Sequence, residues 1–471
     1  MNSNIISEAK RMNPLTAPLD EGFLPLTTVW REFQNAAGAC NEKSFFSLAL
    51  AQPGGTVSRR DGYLFPARHP RACENFTHVE RLVKFMLWTY GGRTIYFSGP
   101  QAVADGLKRH YAESATGRFD NELIGRRIYD GDLEVVPVAA SDVPPARLLE
   151  QKIGGHWNGC RIGFDLGGSD RKAAAVMDGK VLFTEEIAWQ PYFEKDPDYH
   201  YRGIMDSLNR AARHLPRVDA IGGSAAGVYV ENQVRLASLF RGVSPADFDL
   251  HVKTLFHRIR KDWGNIPLVV MNDGEVTALA GASALKDNAV LGVSMGTSEA
   301  GGFVTPDGSL TPWLNELAFA PIDGRLDAPA DEWSGDRGCG VQYFSQQAIP
   351  RLARAAGIDL PAEMPLPEKL VAVQSLMATH DPRARRIYET IGTWFGFAVL
   401  QYREFYPLRN VLVLGRVTTG PGGEILLDRA RQVIQATAPA LAESIRLVMP
   451  DETDKRHGQA VTAASLPVVA P

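Results

Sequence analysis

The chain carries one pattern twice. Arg161 to Leu182 reads RIGFDLGGSDRKAAAVMDGKVL, and Leu291 to Leu310 reads LGVSMGTSEAGGFVTPDGSL. In the first, an apolar run ends in Asp165, a glycine turn follows at Gly167-Gly168-Ser169, and extended runs flank Asp178-Gly179. In the second, an apolar run enters Gly296-Thr297-Ser298 and returns through Gly301 to Val304 to Asp307-Gly308. The spacing from Asp165 to Asp178 equals that from Ser294 to Asp307. Asp-Gly between extended segments signals a hairpin, because a type I′ turn needs positive φ at both central residues. An internal repeat constrains architecture before any single element does. These two copies predict two similar lobes facing one cleft. The alternative is two unrelated hairpins with Asp-Gly turns, which are common; the equal spacing and the paired glycine turns weigh against it.

The first copy places a carboxylate, backbone N–H groups and a hydroxyl at one point. Such a turn can hold phosphate oxygens, leaving Asp165 to manage a Mg²⁺ ion. The bulk properties exclude other classes. The chain has 471 residues, 45% apolar and 22% charged, with a net charge of -4. That balance argues against a general polyanion binder. No stretch approaches the roughly 18 apolar residues of a membrane span. The N-terminal MNSNIISEAKRMNPL lacks an apolar signal core, so a cytoplasmic protein is expected. Cys40, Cys73, Cys160 and Cys339 are scattered, with no CxxC pair.

Before the first copy, residues 78–92 predict an amphipathic helix, 93–98 a strand, 100–113 a helix opened by Pro100, and 133–138 a short strand. The N-terminal stretch is therefore folded. Residues 1–150 hold equal numbers of basic and acidic side chains, a poor footprint for DNA. An accessory or dimerisation domain is the better reading, and no nucleic-acid or membrane partner is expected. Between the copies, 199–215 and 246–263 predict helices. Val218 to Ile221 is a strand entering GGSAAG, which lacks the second glycine of a GxSxG nucleophile elbow. Pro267 to Met271 is a buried-strand run that delivers Asn272-Asp273 to the start of an alanine-rich helix, 275–285. That pair reads either as a helix cap or as a general base that takes a hydroxyl proton during phosphoryl transfer. Both can hold together. Glu316 reads from its surroundings as a loop acid. Further on, 383–406 predicts a long helix, 410–414 a strand into Gly415, and 455–465 a last helix.

From about residue 160 to 465 these motifs resemble the ROK family of sugar kinases and sugar-responsive repressors. GFDLGGSDRK resembles the family's first phosphate motif, with Ser169 in the usual Thr place. MNDGEVTALAG resembles the segment of the catalytic base, which falls on Asp273, with Asn272 a sugar contact. MGTSEAGGFV resembles the second phosphate motif, with Ser298 and Ala300 in place of glycines. LNELAFAPI places Glu316 at a sugar-contacting acid. VLVLGRVTTG resembles the adenosine motif at Gly415. The family's zinc-ligand histidine falls on Phe319, and of its cysteine run only Cys339 remains, so no structural zinc is expected.

The resemblance implies an α/β fold of two RNase-H-like (actin-like ATPase) lobes around a central cleft, plus an N-terminal α/β accessory domain. The expected division is 1–158, 159–287 and 288–471, with the C-terminal helix packing back on the first lobe. It implies an ATP- and Mg²⁺-dependent sugar kinase with Asp273 as base. Asn272 and Glu316 would bind the sugar, and Asp165, Gly167, Gly168, Ser169, Gly296, Thr297 and Gly415 the nucleotide. A homodimer is left open. A catalytically inactive sugar sensor is the rival reading.

Overall fold

The computed structural model describes residues 15–149, 153–449 and 455–469. Its described strands are β1 (Ser44–Ala51), β2 (Val57–Leu64), β3 (Thr94–Ser98), β4 (Glu134–Pro137), β5 (Cys160–Leu166), β6 (Asp170–Met177), β7 (Lys180–Ala188), β8 (Ala220–Ala225), β9 (Val228–Val230), β10 (Gln233–Leu236), β11 (Leu268–Asn272), β12 (Val290–Met295), β13 (Glu299–Val304), β14 (Asn410–Leu414) and β15 (Arg446–Val448). The chain divides into two compact units. One comprises residues 1–149, 293–301 and 313–448, the other 150–292, 302–312 and 449–471.

The second unit is built on the sheet β11-β8-β5-β6-β7. β5 pairs parallel to β8, and β8 parallel to β11, while β6 and β7 fold back antiparallel. Every residue of β5 is buried, as expected of a central strand covered on both faces. One face packs on the helix Pro197–Ala212 and the helix Leu255–Asp262 through Ile162, Phe164, Ile204, Leu208, Phe256 and Ile259. The helix Lys455–Ala463 covers the other face. It lies so close that a Cβ on Gly163 would sit 1.8 Å from Ala460 O, and one on Gly222 1.7 Å from Ala463 O. Alanine in place of either glycine would push this helix off the sheet.

The β6–β7 turn is type I′, with Asp178 at φ 47° and Gly179 at φ 78°. The helix expected over 246–263 is interrupted. It forms as Pro245–Asp247, a π-turn Phe248–Val252 and a helix Leu255–Asp262. The carbonyl of Lys253 accepts instead from the Val234 amide of β10, which removes it from the helical ladder.

In the first unit, the N-terminal sheet runs β2-β1-β3-β4. The helix Glu74–Tyr90 is almost wholly buried. Both its apolar faces are occupied within the unit: Phe85 packs on Phe405 and Trp88 on Phe319, each with ring centroids 4.3 Å apart. The other sheet runs β13-β12-β14-β15, and the long helix Pro382–Phe405 packs on the helix Pro421–Thr437. No helix among the described residues is long and apolar enough to cross a membrane.

Candidate active site

Three parallel strands end together in the second unit. Asp165 of β5 lies opposite Ser224 of β8, and Ser224 opposite Met271 of β11. One rung further, Leu166, Ala225 and Asn272 align. The carboxyl ends of parallel strands are where open α/β sheets place ligand sites. Asp165 is 4% exposed. Its Oδ1 accepts a 2.7 Å hydrogen bond from Ser224 Oγ, and Lys172 Nζ lies 3.5 Å from its Oδ2. Burial pushes the Asp165 carboxyl up, and the Ser224 and Lys172 bonds oppose that shift.

Asn272 is the N-cap of the helix Asp273–Leu285. Its Oδ1 accepts from Gly274 N at 2.7 Å, and its Nδ2 donates to Gly227 O at 2.7 Å. A primary amide has a second N–H, which is the one available to a ligand. Asp273 stands in the first helical turn, where its Oδ1 also accepts from Gly274 N, at 3.0 Å. Its carboxyl is pushed up to about 6, first by burial and second by the negative charge of Asp165. A base whose pKa lies near neutrality suits proton transfer.

The first glycine turn is closed by Gly167 N donating to Asp170 O at 2.9 Å. Its carbonyls are consumed from behind: Trp189 N donates to Ser169 O and Trp189 Nε1 to Gly167 O. Among the described residues, the amides of Gly168 and Ser169 donate to no backbone or side-chain acceptor. Ser169 Oγ donates to Asp170 Oδ2 at 2.8 Å, and Asp170 Oδ1 pairs with Lys172 at 2.8 Å. The turn thus offers two amides flanked by acid and base.

In the first unit, the second turn is closed by Gly296 N donating to Ser298 O, and Gly296 O accepts from Gln346 N, both at 2.9 Å. Thr297 and Ser298 are exposed. Gly415 follows β14 at φ 102°, and a Cβ there would lie 2.5 Å from Met295 O. Gly415 and the second turn are therefore neighbours. Glu316 sits in a loop whose Asn315 carbonyl would be 2.6 Å from a Cβ on Gly301, and its amide donates to Trp88 O. The fold thus gathers Asp165, Gly167, Gly168, Ser169, Asn272 and Asp273 at one sheet end, and Gly296, Thr297 and Gly415 at another.

Sequence reasoning passed over Ser224, Lys172 and Glu299. Ser224 was visible only as part of a failed elbow motif. Lys172 follows from the tight turn, which pairs it with Asp165 across β5 and β6. Glu299 left no signal: it begins β13, 2% exposed, and accepts from Tyr402 OH at 3.3 Å through Oε1 while Oε2 has no hydrogen-bond partner. Burial pushes its carboxyl up to about 8, so at neutral pH it is mostly uncharged.

Where the family's cysteine run would lie, Asp331 and Asp336 organise the loop. Asp331 Oδ2 accepts from the amide and hydroxyl of Ser334. Asp336 pairs with Arg81 at 2.9 Å and Lys84 at 3.0 Å, both from the helix Glu74–Tyr90. Lys84 also pairs with Asp120 at 2.7 Å. The two carboxyls diverge. Burial raises both, but two cations hold Asp336 well below the usual range, whereas Asp120, with one cation and an unpartnered Oδ2, is pushed up to about 6. Burial pushes the Cys339 thiol up.

No protein-family model matches the chain, and no curated protein matches it in sequence. Solved structures do match. A ROK hexokinase from Thermus thermophilus superposes with a TM-score of 0.51 at 20% identity, over 65% of this chain and 96% of its own. A ROK family transcriptional regulator, a homolog of the E. coli MLC protein, superposes with a TM-score of 0.52 at 19% identity, over 69% of this chain and 81% of its own. The chain therefore has the fold of the ROK-family sugar kinases and their regulator relatives.

Proposed function

We propose that the chain is an ATP-dependent phosphotransferase that moves the γ-phosphoryl group to a sugar hydroxyl. Asp273 takes the acceptor's proton as the oxygen attacks phosphorus. Asn272 and Glu316 hold acceptor hydroxyls. Gly167, Gly168 and Ser169 receive phosphate oxygens, with Gly296 and Thr297 assigned to the phosphates and Gly415 to the nucleoside. The observation that carries this reading is Asp273 itself: a carboxyl raised to about 6, one residue past a parallel strand and beside a second carboxyl.

Mg²⁺ keeps several waters and is bound through one or two carboxylates plus substrate phosphates. Asp165 suits that role through water, with Ser224 fixing one of its oxygens. Among the described residues no group of three or more His, Cys, Asp or Glu is placed to hold an ion. When bound, Mg²⁺ would neutralise charge on the phosphates.

The test is a coupled ATPase screen over hexoses, amino sugars and polyols with Mg²⁺. Sugar-dependent ADP release that Asp273→Ala abolishes supports the reading. Unchanged turnover in the folded variant removes Asp273 from the mechanism. The second reading is a sensor that binds without turnover. Ser298 in the second turn, with the buried Glu299 and then Ala300 following it in β13, favours it. ATP binding with no turnover across the sugar panel would establish that reading instead.

A further inference from the structure

The first glycine turn has a neighbour that the phosphate reading leaves unused. Tyr192 and Phe193 form a short 3-10 turn after β7. A Cβ on Gly168 would lie 2.0 Å from Tyr192 OH, so the phenol rests directly on the turn. The guanidinium of Arg241 stacks over both rings, 4.2 Å from the Tyr192 centroid and 5.0 Å from that of Phe193. Arg241 is exposed and makes no ion pair among the described residues. By contrast Arg171, Arg202, Arg210, Arg217 and Arg258 of this unit are each paired with an acid.

The two loops are locked to each other. His200 Nε2 donates to Leu239 O at 2.9 Å, with Pro191 O at 3.2 Å. A Cβ on Gly242 would lie 2.5 Å from Glu194 O, so the backbones touch. Arg241 is thus a cation stacked over two aromatic rings, one phenol ring away from Gly168. Guanidinium stacking on aromatic faces leaves its N–H fork free for bidentate contact with phosphate. The acids around the turn, Asp165, Asp170 and Asp273, outnumber Lys172, so a phosphoryl group arriving there needs more positive charge than the turn itself supplies.

We propose that Arg241, seated on Tyr192 and Phe193, binds a phosphoryl group held at the Gly168 turn, with the Tyr192 hydroxyl as a second donor. This rests on the assignment of that turn to phosphate. The phosphoryl group belongs either to the nucleotide or to a phosphorylated acceptor, and the experiment separates them.

The experiment is titration calorimetry of the full chain with pyrophosphate, ATP, adenosine and glucose 6-phosphate, for the wild type and for Arg241→Gln, Arg241→Lys and Tyr192→Phe. Losing a charge-assisted contact should weaken pyrophosphate and ATP by about tenfold or more in Arg241→Gln. Adenosine should bind unchanged, and Arg241→Lys should recover part of the loss. Tyr192→Phe keeps the seat and should lose only a few-fold. A loss confined to glucose 6-phosphate assigns the contact to the acceptor and still supports the site. Wild-type binding of the phosphate probes with no change in Arg241→Gln overturns this inference alone. A wild type that binds none of the phosphate probes overturns the kinase reading with it. Arg241 is exposed, so equal melting temperatures are expected and exclude misfolding as the cause.

Discussion

The two glycine hairpins share a backbone plan and differ in chemistry. In the first, the turn joins β5 to β6 and is ringed by Asp165, Asp170 and Lys172. In the second, the turn joins β12 to β13, its exposed side chains are neutral, and its nearest acid, Glu299, is sealed inside. The returns differ too. The first uses a two-residue type I′ turn. The second uses Thr305-Pro306-Asp307-Gly308, with Gly308 at φ 88° and Ser309 O accepting from Thr305 N. Proline fixes its own φ near -65°, which forbids type I′ at that position and gives a longer turn ending in a left-handed glycine. The far arm then makes the isolated bridge Val304 to Leu310. Under the kinase proposal, unequal charge on a shared backbone would divide the labour between a charged turn and a neutral one.

The largest expected effect tests the charged end. Asp273→Asn should lower sugar-dependent turnover by ~10² or more, the usual scale for acid–base catalysis. Wild-type turnover should fall as pH drops through about 6, because the base must be ionised. Stability should move the other way. The folded pKa is raised from 3.8, so Asp273 lowers stability progressively as pH rises from there to about 6. At pH 7 the Asn variant should therefore melt at or above the wild-type temperature. A variant that is both inactive and less stable would make Asp273 a structural residue.

Much of the first hairpin was readable because its signals are local: an apolar run, a glycine turn, an Asp-Gly. The same holds for Asn272-Asp273, where a strand hands an acid to a helix. What stayed hidden depends on register or on distant contacts. Ser224 reaches Asp165 only because β8 lies beside β5 in one alignment. Lys84 meets Asp336 across most of the chain, and nothing near either residue announces it. β1 and β2 went unread for another reason. SFFSLALA is apolar without alternation, and VSRRDGYL is a polar edge strand, so neither shows a period of two. Glu299 was illegible because an acid in a glycine-rich stretch reads as exposed, and only the packing of Tyr402 and Gly340 against it encloses the carboxyl.

A middle-sized effect separates the turns by space alone. A methyl on Gly168 would meet Tyr192 OH at 2.0 Å, whereas one on Gly296 meets nothing nearer than 3.6 Å. Gly168→Ala should cost about 1–3 kcal/mol, the range for overpacking, and should weaken ATP binding. Gly296→Ala should leave the melting temperature unchanged within error. Thermal denaturation of both variants checks this, and equal costs would mean that the first turn is not held more tightly than the second.

The smallest effect concerns Glu299. Its folded pKa, about 8, is raised from 4.5, so the folded state holds the proton that the unfolded chain gives up. The stability it contributes is complete below pH 4.5 and is lost as pH rises to about 8. Glu299→Gln keeps the shape, can still accept from Tyr402, and never ionises. The variant and wild type should melt together at pH 4.5, and the variant should melt higher at pH 8. If the second turn is neutral support, sugar-dependent turnover should change less than twofold, well below one acid–base contribution. If Glu299→Gln instead removed turnover, the second hairpin would carry chemistry of its own, and the division between the two copies would fail.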